Sequence, residues 1–209
     1  PKVHGGLLSL RDNEQHIKEV QENNIQYIDL VCVNLYPFKE TINKPNTTFD
    51  EAIEQIDIGG PSMLRSAAKN YKFVTVVTDI LDYDKVINEY KEFGDTTFNT
   101  KKSLSAKVFR KTAQYDSYIS NYLTKELEIK NPESITLTYD FHQPLRYGEN
   151  PHQEASLYKS TDNPYSLLNV EFLNGKPLSF NNIQDANSAI NILKEFTDPT
   201  VVALKHMNP

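Results

Sequence analysis

Asn34 and Tyr36 stand just past the apolar run 28–33, and Lys205 and His206 just past the run 200–204. In an α/β protein, ligands bind beyond the carboxyl ends of strands, so polar side chains there are the first candidates for chemistry. Asp57 precedes Gly59-Gly60-Pro61, where a carboxylate would lie near exposed backbone donors and a helix start that holds an anion. Lys69 closes the short helix that follows. Arg146-Tyr147-Gly148 occupy a polar loop whose guanidinium fork and aromatic face suit a phosphorylated heterocycle.

Each residue also has a plainer reading, and from the residues alone both stay open. Tyr36, before Pro37, can cap a core edge with its hydroxyl in water. Asp57 can be a turn former, Lys69 a partner for terminal helix carbonyls, and His206 a structural histidine. The Arg146 loop can simply be solvated. Composition and spacing stop at an α/β protein that handles a small anionic ligand.

The elements that must position these residues alternate. Helical spacing over 12–23, a buried strand from Tyr27 to Leu35 and a β-branched strand from Phe73 to Thr78 are expected. Thr48 with Glu51 forms a capping box; Gly59-Gly60-Pro61 punctuates the chain before a helix from Ser62 to Lys69. A helix from about Asp82 ends at Gly94, and a longer one runs from Lys102 to Leu127. Beyond Asn131-Pro132, strands are expected at Ser134–Tyr139, Phe172–Gly175 and Thr200–Leu204, a loop at Pro144–Pro151 and an amphipathic helix at Asp185–Phe196. The alternation predicts α/β layers in two unequal pieces. Lys101, Lys102, Lys107, Arg110 and Lys111 read as a solvated helix face, with an anion site as the alternative.

Composition removes several classes. The 209 residues are 38% hydrophobic and 24% charged, and no apolar run approaches the roughly 20 residues of a membrane span. Net charge is -6, without the basic footprint that duplex binding needs. Cys32 is the single cysteine, so no internal disulfide forms and a cytoplasmic location is expected. GxGxxG, GxxxxGK[ST], HExxH and paired CxxC are missing, so dinucleotide, P-loop and metal chemistry lose weight and no metal ligand is assigned. No leader opens the chain, and the start at Pro1 without methionine reads as a cut.

The words around the candidate residues are more specific than their spacing. PKVHGGLL at 1–8, DLVCVNLYPF at 29–38, FDEAIEQIDIGGPSMLRSAAKN at 49–70 and VVTD at 76–79 resemble the inosine monophosphate (IMP) cyclohydrolase part of the bifunctional purine biosynthesis family. LRYGENPHQ at 145–153, LNGKPLSFNN at 173–182 and VVALKHMNP at 201–209 resemble the opening of its aminoimidazole carboxamide ribonucleotide (AICAR) transformylase part.

The resemblance implies a partial methylglyoxal synthase-like, Rossmann-type α/β layer over residues 1–138. The start of a cytidine deaminase-like α/β domain would follow over 139–209. It implies formyl transfer from the cosubstrate 10-formyltetrahydrofolate to AICAR, then cyclisation of formyl-AICAR to IMP with loss of water. It further implies a homodimer with shared transformylase sites. Carried onto this sequence, the cyclohydrolase residues are Tyr36, Asp57 and Lys69, with Asn34 and Ile58 touching the nucleotide. The transformylase pair is Lys205 and His206, with Arg146 and Tyr147 on AICAR. If Lys205 and His206 serve one pocket, the strand before them must end at or before Lys205, because neighbours in a strand face opposite ways.

The sequence departs from the family pattern in lacking Lys-Thr-Leu-His before PKVHGG, in ending at Asn208-Pro209, and in having Phe180 where many relatives have tyrosine. Truncation at both ends, with neither activity complete, is therefore the expectation. A noncatalytic module that binds a phosphorylated metabolite is the alternative, and a structural fragment without nucleotide binding a third.

Overall fold

Short polar side chains cap the starts of four of the eight described α-helices. A computed structural model describes residues 1–160, 167–169, 171 and 173–208. Helix α1 spans Lys2–Leu8, and the Asn13 side chain accepts the His16 amide to open α2 at Glu14–Glu22. Strand β1, Leu30–Cys32, leads through Asn34 and Tyr36 into α3, Phe38–Ile42. The Thr48–Glu51 capping box opens α4, Phe49–Glu54, as expected. Helix α5, Gly59–Lys69, includes the Gly-Gly-Pro segment that was expected to lie ahead of it. Proline fits there because first-turn amides have no intrahelical partner.

Strand β2, Thr75–Val77, is followed by α6, Tyr83–Phe93, which ends on Gly94 at φ 76°, a left-handed cap suited to glycine. Helix α7, Phe98–Glu126, begins four residues earlier than the pattern indicates. Its start is set by the Thr97 cap and by Glu89 of α6, which accepts from the Thr97 amide at 2.7 Å and the Thr100 hydroxyl at 2.6 Å.

These elements belong to one of two units, Pro1–Thr136. Strands β1 and β2 pair in parallel, with Val31 opposite Val76 and Cys32 opposite Val77. Both are much shorter than the apolar runs from which they are drawn. Helices α1 and α7 pack on α5, which also covers the strands. Leu7, Leu64, Val74, Val76 and Val108 are fully buried in the resulting core, each stabilising it by roughly 1.5–3 kcal/mol. Phe38, Ala52 and Tyr115 form a second cluster. The basic stretch is only partly a solvated face. Lys101 is buried on Asp95 at 2.6 Å, and Lys107 bridges Asp79 at 2.9 Å and Asp82 at 2.7 Å.

The second unit is Leu137–Pro209. Its strand β3 is Asp140–Pro144, antiparallel to β4, Ser156–Lys159, with an irregularity between Phe141 and Gln143. The expected strand at Ser134–Tyr139 does not form; Ile135 and Leu137 are exposed. Pairing falls instead where a partner exists, and Phe141 meets Tyr158 edge to face at 5.6 Å. Helix α8, Phe180–Leu193, starts five residues before the expected Asp185, because Ser179 and Asn182 form a capping box. Residues 200–204 make no ladder, and Val201 is 96% exposed, so the strand expected there is absent. Of the strand expected at Phe172–Gly175, Phe172 lies outside the described residues and 173–175 are not in a strand. No described helix is long and apolar enough to cross a membrane.

Candidate functional site

In the first unit, the carboxyl end of β1 and the amino end of α5 meet at Asp57. Its Oδ1 accepts the Gly60 amide at 2.8 Å and its Oδ2 the Tyr36 amide at 3.4 Å. The fold-back depends on glycine: a Cβ on Gly60 would stand 2.4 Å from Asp57 Oδ2. Behind the carboxylate, the Asp57 amide donates to the Tyr115 hydroxyl at 2.9 Å, and that hydroxyl donates to the Gln55 carbonyl at 2.9 Å. Burial raises the Tyr115 phenol above its ordinary value, so it stays a neutral donor. Tyr36, whose amide meets this carboxylate, and Ile58, next to Asp57 in the chain, are 55% and 77% exposed. A fixed carboxylate, a tyrosine and the positive end of an eleven-residue helix thus share one open face.

Asn34 lies on the same strand end but leans toward Tyr83, its amide 3.4 Å from the tyrosine hydroxyl. Cys32 also donates to that hydroxyl, at 3.3 Å, and this hydrogen bond raises the Tyr83 phenol. Lys69 does not join Asp57. It closes α5 at the far end, about 15 Å along the axis at 1.5 Å per residue. There it lines an open cleft of ≈ 500 Å³ with Leu8, Arg65, Tyr71, Ser105 and Phe109. The structure therefore brings Tyr36, Asp57 and Ile58 together and leaves Lys69 apart.

In the second unit, Arg146 and Tyr147 sit on the amino end of α8. The Phe180 amide donates to the Tyr147 carbonyl at 3.4 Å and the Asn181 side chain to the Glu149 carbonyl at 3.1 Å. Gly148 is buried where a Cβ would come 2.9 Å from that of Gln153, so the loop closes tightly on itself. The Arg146 guanidinium reaches the Tyr147 hydroxyl at 3.2 Å. Hydrogen bonding to Ser179, then to Arg146, lowers the Tyr147 phenol below its ordinary value.

Lys205 and His206 occupy a tight turn rather than a ladder. The Lys205 amide donates to the Asn208 carbonyl at 2.9 Å and the Asn208 amide to the Lys205 carbonyl at 3.2 Å. His206 and Met207 take φ of 53° and 63°, the left-handed region that non-glycine residues rarely occupy. The two residues therefore lie in a turn and not in a regular ladder. Among the described residues, no group of three or more His, Cys, Asp or Glu side chains gathers as metal ligands would.

Sequence reasoning missed the Tyr115 hydroxyl behind Asp57, because a residue 58 positions away gives no local signal. It also missed Ser179, although Ser-Phe-Asn-Asn at 179–182 is a readable cap.

Two family profiles match the chain, and the boundary between them falls inside the first unit. An MGS-like domain profile matches residues 2–62, and the AICARFT/IMPCHase bienzyme profile matches residues 67–209. The chain is 59% identical, over its whole length, to the bifunctional purine biosynthesis protein PurH of Bacillus mycoides (strain KBAB4), and 58% identical to that of Bacillus cytotoxicus. It spans 41% of the length of these relatives. A crystal structure of ForH is similar at TM-score 0.51 and 35% identity, over 57% of this chain and 61% of that one. With its profile matched over more than half of the residues, the chain belongs to the AICARFT/IMPCHase bienzyme family.

Proposed function

We propose that this chain carries site residues for the two consecutive closing steps of IMP synthesis. In the first, a formyl group passes from 10-formyltetrahydrofolate to the amine of AICAR; in the second, formyl-AICAR closes to IMP with loss of water. Residues 1–138 serve the cyclisation and 139–209 the formyl transfer. The observation that carries this reading is the Asp57 carboxylate, fixed by Gly60 beside the exposed Tyr36 at the amino end of α5.

Cyclisation needs an amide nitrogen held against a formamide carbonyl, an oxyanion stabilised, and a departing hydroxyl protonated. Holding the two ends together is worth several kcal/mol, up to roughly 7–11 for ideal orientation. The α5 amino end and Asn34 suit nucleotide binding, while Tyr36 and Asp57 suit donation and proton transfer. Lys69 is too far along α5 to reach the same atoms in one chain, and the homodimer implied by the family would let a second copy supply it.

For formyl transfer, the amine of AICAR is a poor nucleophile because its lone pair is delocalised into the imidazole. His206 is the base that takes its proton as attack proceeds. Lys205 stabilises the tetrahedral oxyanion or protonates the departing folate nitrogen, and Arg146 with Tyr147 binds the AICAR phosphate and ring. A cytoplasmic location fits this chemistry.

The test uses the chain extended to the length of its relatives. Asp57→Asn should abolish most cyclisation while formyl transfer continues, and His206→Ala should do the reverse. A noncatalytic metabolite-binding module would instead bind IMP in calorimetric titration and turn over neither substrate.

A further inference from the structure

Lys205 and His206 are exposed on a turn with two residues in the left-handed region and no ladder before it. Such a conformation persists only where neighbours over-determine it. The neighbours are on α8. Asp185 Oδ1 accepts the Met207 amide at 2.8 Å, and the Ser188 hydroxyl donates to the Met207 carbonyl at 2.9 Å. Residues three apart share one face of a helix, so the two side chains grip both backbone groups of a single residue. The Asn208 side chain adds a bond within the turn, donating to the His206 carbonyl at 2.9 Å.

We propose that Asp185 and Ser188 are positioning residues: they fasten the turn to α8 and thereby aim Lys205 and His206 at the formyl-transfer centre. The inference rests on the role given to those two residues above. Neither anchor touches the reacting atoms; each acts through Met207, adjacent to His206. Losing one bond lets the turn relax toward ordinary backbone angles, and His206 moves away from the amine. The same helix carries the capped end on which Arg146 and Tyr147 rest, so α8 holds both the substrate loop and the catalytic turn.

The experiment measures both activities of the chain extended to the length of its relatives. Asp185→Ala should lower transformylase kcat about 10- to 100-fold, the scale for a misplacement near 1 Å, with less than about a threefold change in KM for AICAR. Asp185→Asn keeps a carbonyl oxygen at Oδ1 and should restore kcat to within about threefold of wild type, and Ser188→Ala should cost about 3- to 10-fold. Cyclohydrolase turnover should hold in all three.

Wild-type kcat in Asp185→Ala overturns the proposal. So does an equal fall in Asp185→Asn, or a cyclohydrolase loss that tracks the transformylase loss. An independent readout is hydrogen exchange at the Met207 amide, expected to be slowed in wild type and Asp185→Asn and fast in Asp185→Ala. If exchange behaves so but His206→Ala leaves formyl transfer intact, the anchor stands and the role of His206 falls. Fast Met207 exchange in wild type removes the anchor whatever the activity.

Discussion

The two units hold their candidate sites by different means. In Pro1–Thr136, α5 is fixed by fully buried Leu64 and Ala67 and by nearly buried Ala68, so the Asp57 carboxylate at its end is placed by a packed core. In Leu137–Pro209, the buried residues among those described are Gly148 and Ser179, and the Arg146 loop and Lys205 turn are placed by caps and hydrogen bonds. Interior packing resists small displacements because it is close to crystal density; a hydrogen-bonded surface turn has only its few directional bonds. Substitutions should therefore act through stability in the first unit and through local geometry in the second.

The largest effect expected is from Leu64→Ala. A fully buried leucine between α5 and the strands leaves a cavity, and the loss should be about 3–5 kcal/mol of first-unit stability. Urea unfolding followed by far-ultraviolet circular dichroism measures it; a loss below about 1 kcal/mol would mean that the core is not packed as described. Gly60→Ala attacks the same unit at the site. Because the added carbon would meet the Asp57 carboxylate, either the carboxylate or the helix start must move. Calorimetric titration of the full-length protein should show IMP affinity falling about tenfold or more, or about 1.4 kcal/mol. Tyr115→Phe removes the hydroxyl between Gln55 and Asp57 and leaves a part-buried carbonyl and amide unpaired, at about 1–3 kcal/mol.

How far the sequence could be read follows the same contrast. Apolar periodicity and caps found α2, α4 and α6 and the cores of β1 and β2, because those signals are local. Tertiary partners set what was misread. The start of α7 depends on Glu89 of another helix, and β3 forms at Asp140–Pro144 because β4 lies beside it. The 200–204 run is β-rich in composition, yet without a neighbouring ladder it forms no strand, and Val201 and Ala203 are exposed. Within the two candidate sites, Tyr36 and His206 are legible as polar residues after apolar runs, Asp57 as a carboxylate ahead of Gly59-Gly60-Pro61, and Arg146 as part of a polar loop. Tyr115 and the α8 contacts to Met207 are not, since nothing in their own windows marks them.

The ion cluster at the end of β2 gives a pH test of the first unit. The Lys107 ammonium, then the Leu81 amide, holds Asp79 below its usual carboxylate range. Burial works against the charge on Lys107, but the hydrogen bonds it donates to Asp82 and Asp79 outweigh it and raise its value. For Asp79 the folded value is the lower one, so its contribution is present above the unfolded value and is lost as pH falls below about 4. For Lys107 the folded value is the higher one, so its contribution is present below the unfolded value and is lost as pH rises past about 10.5. Lys107→Met should remove a plateau of about 1 kcal/mol or less between those limits, seen as a flatter profile of unfolding midpoint against pH.

The smallest effect expected sharpens the contrast most. Leu173 is 85% exposed, so replacing it by serine removes little buried surface and opens no cavity. Leu173→Ser should change unfolding stability by less than about 0.5 kcal/mol, against the several lost in Leu64→Ala. Both are leucine truncations in an α/β chain, differing in whether a core surrounds them, and the ratio of the two stability losses tests that difference directly. A loss in Leu173→Ser comparable with that in Leu64→Ala would mean that this leucine is covered in solution, and the second unit would then also be held by apolar packing.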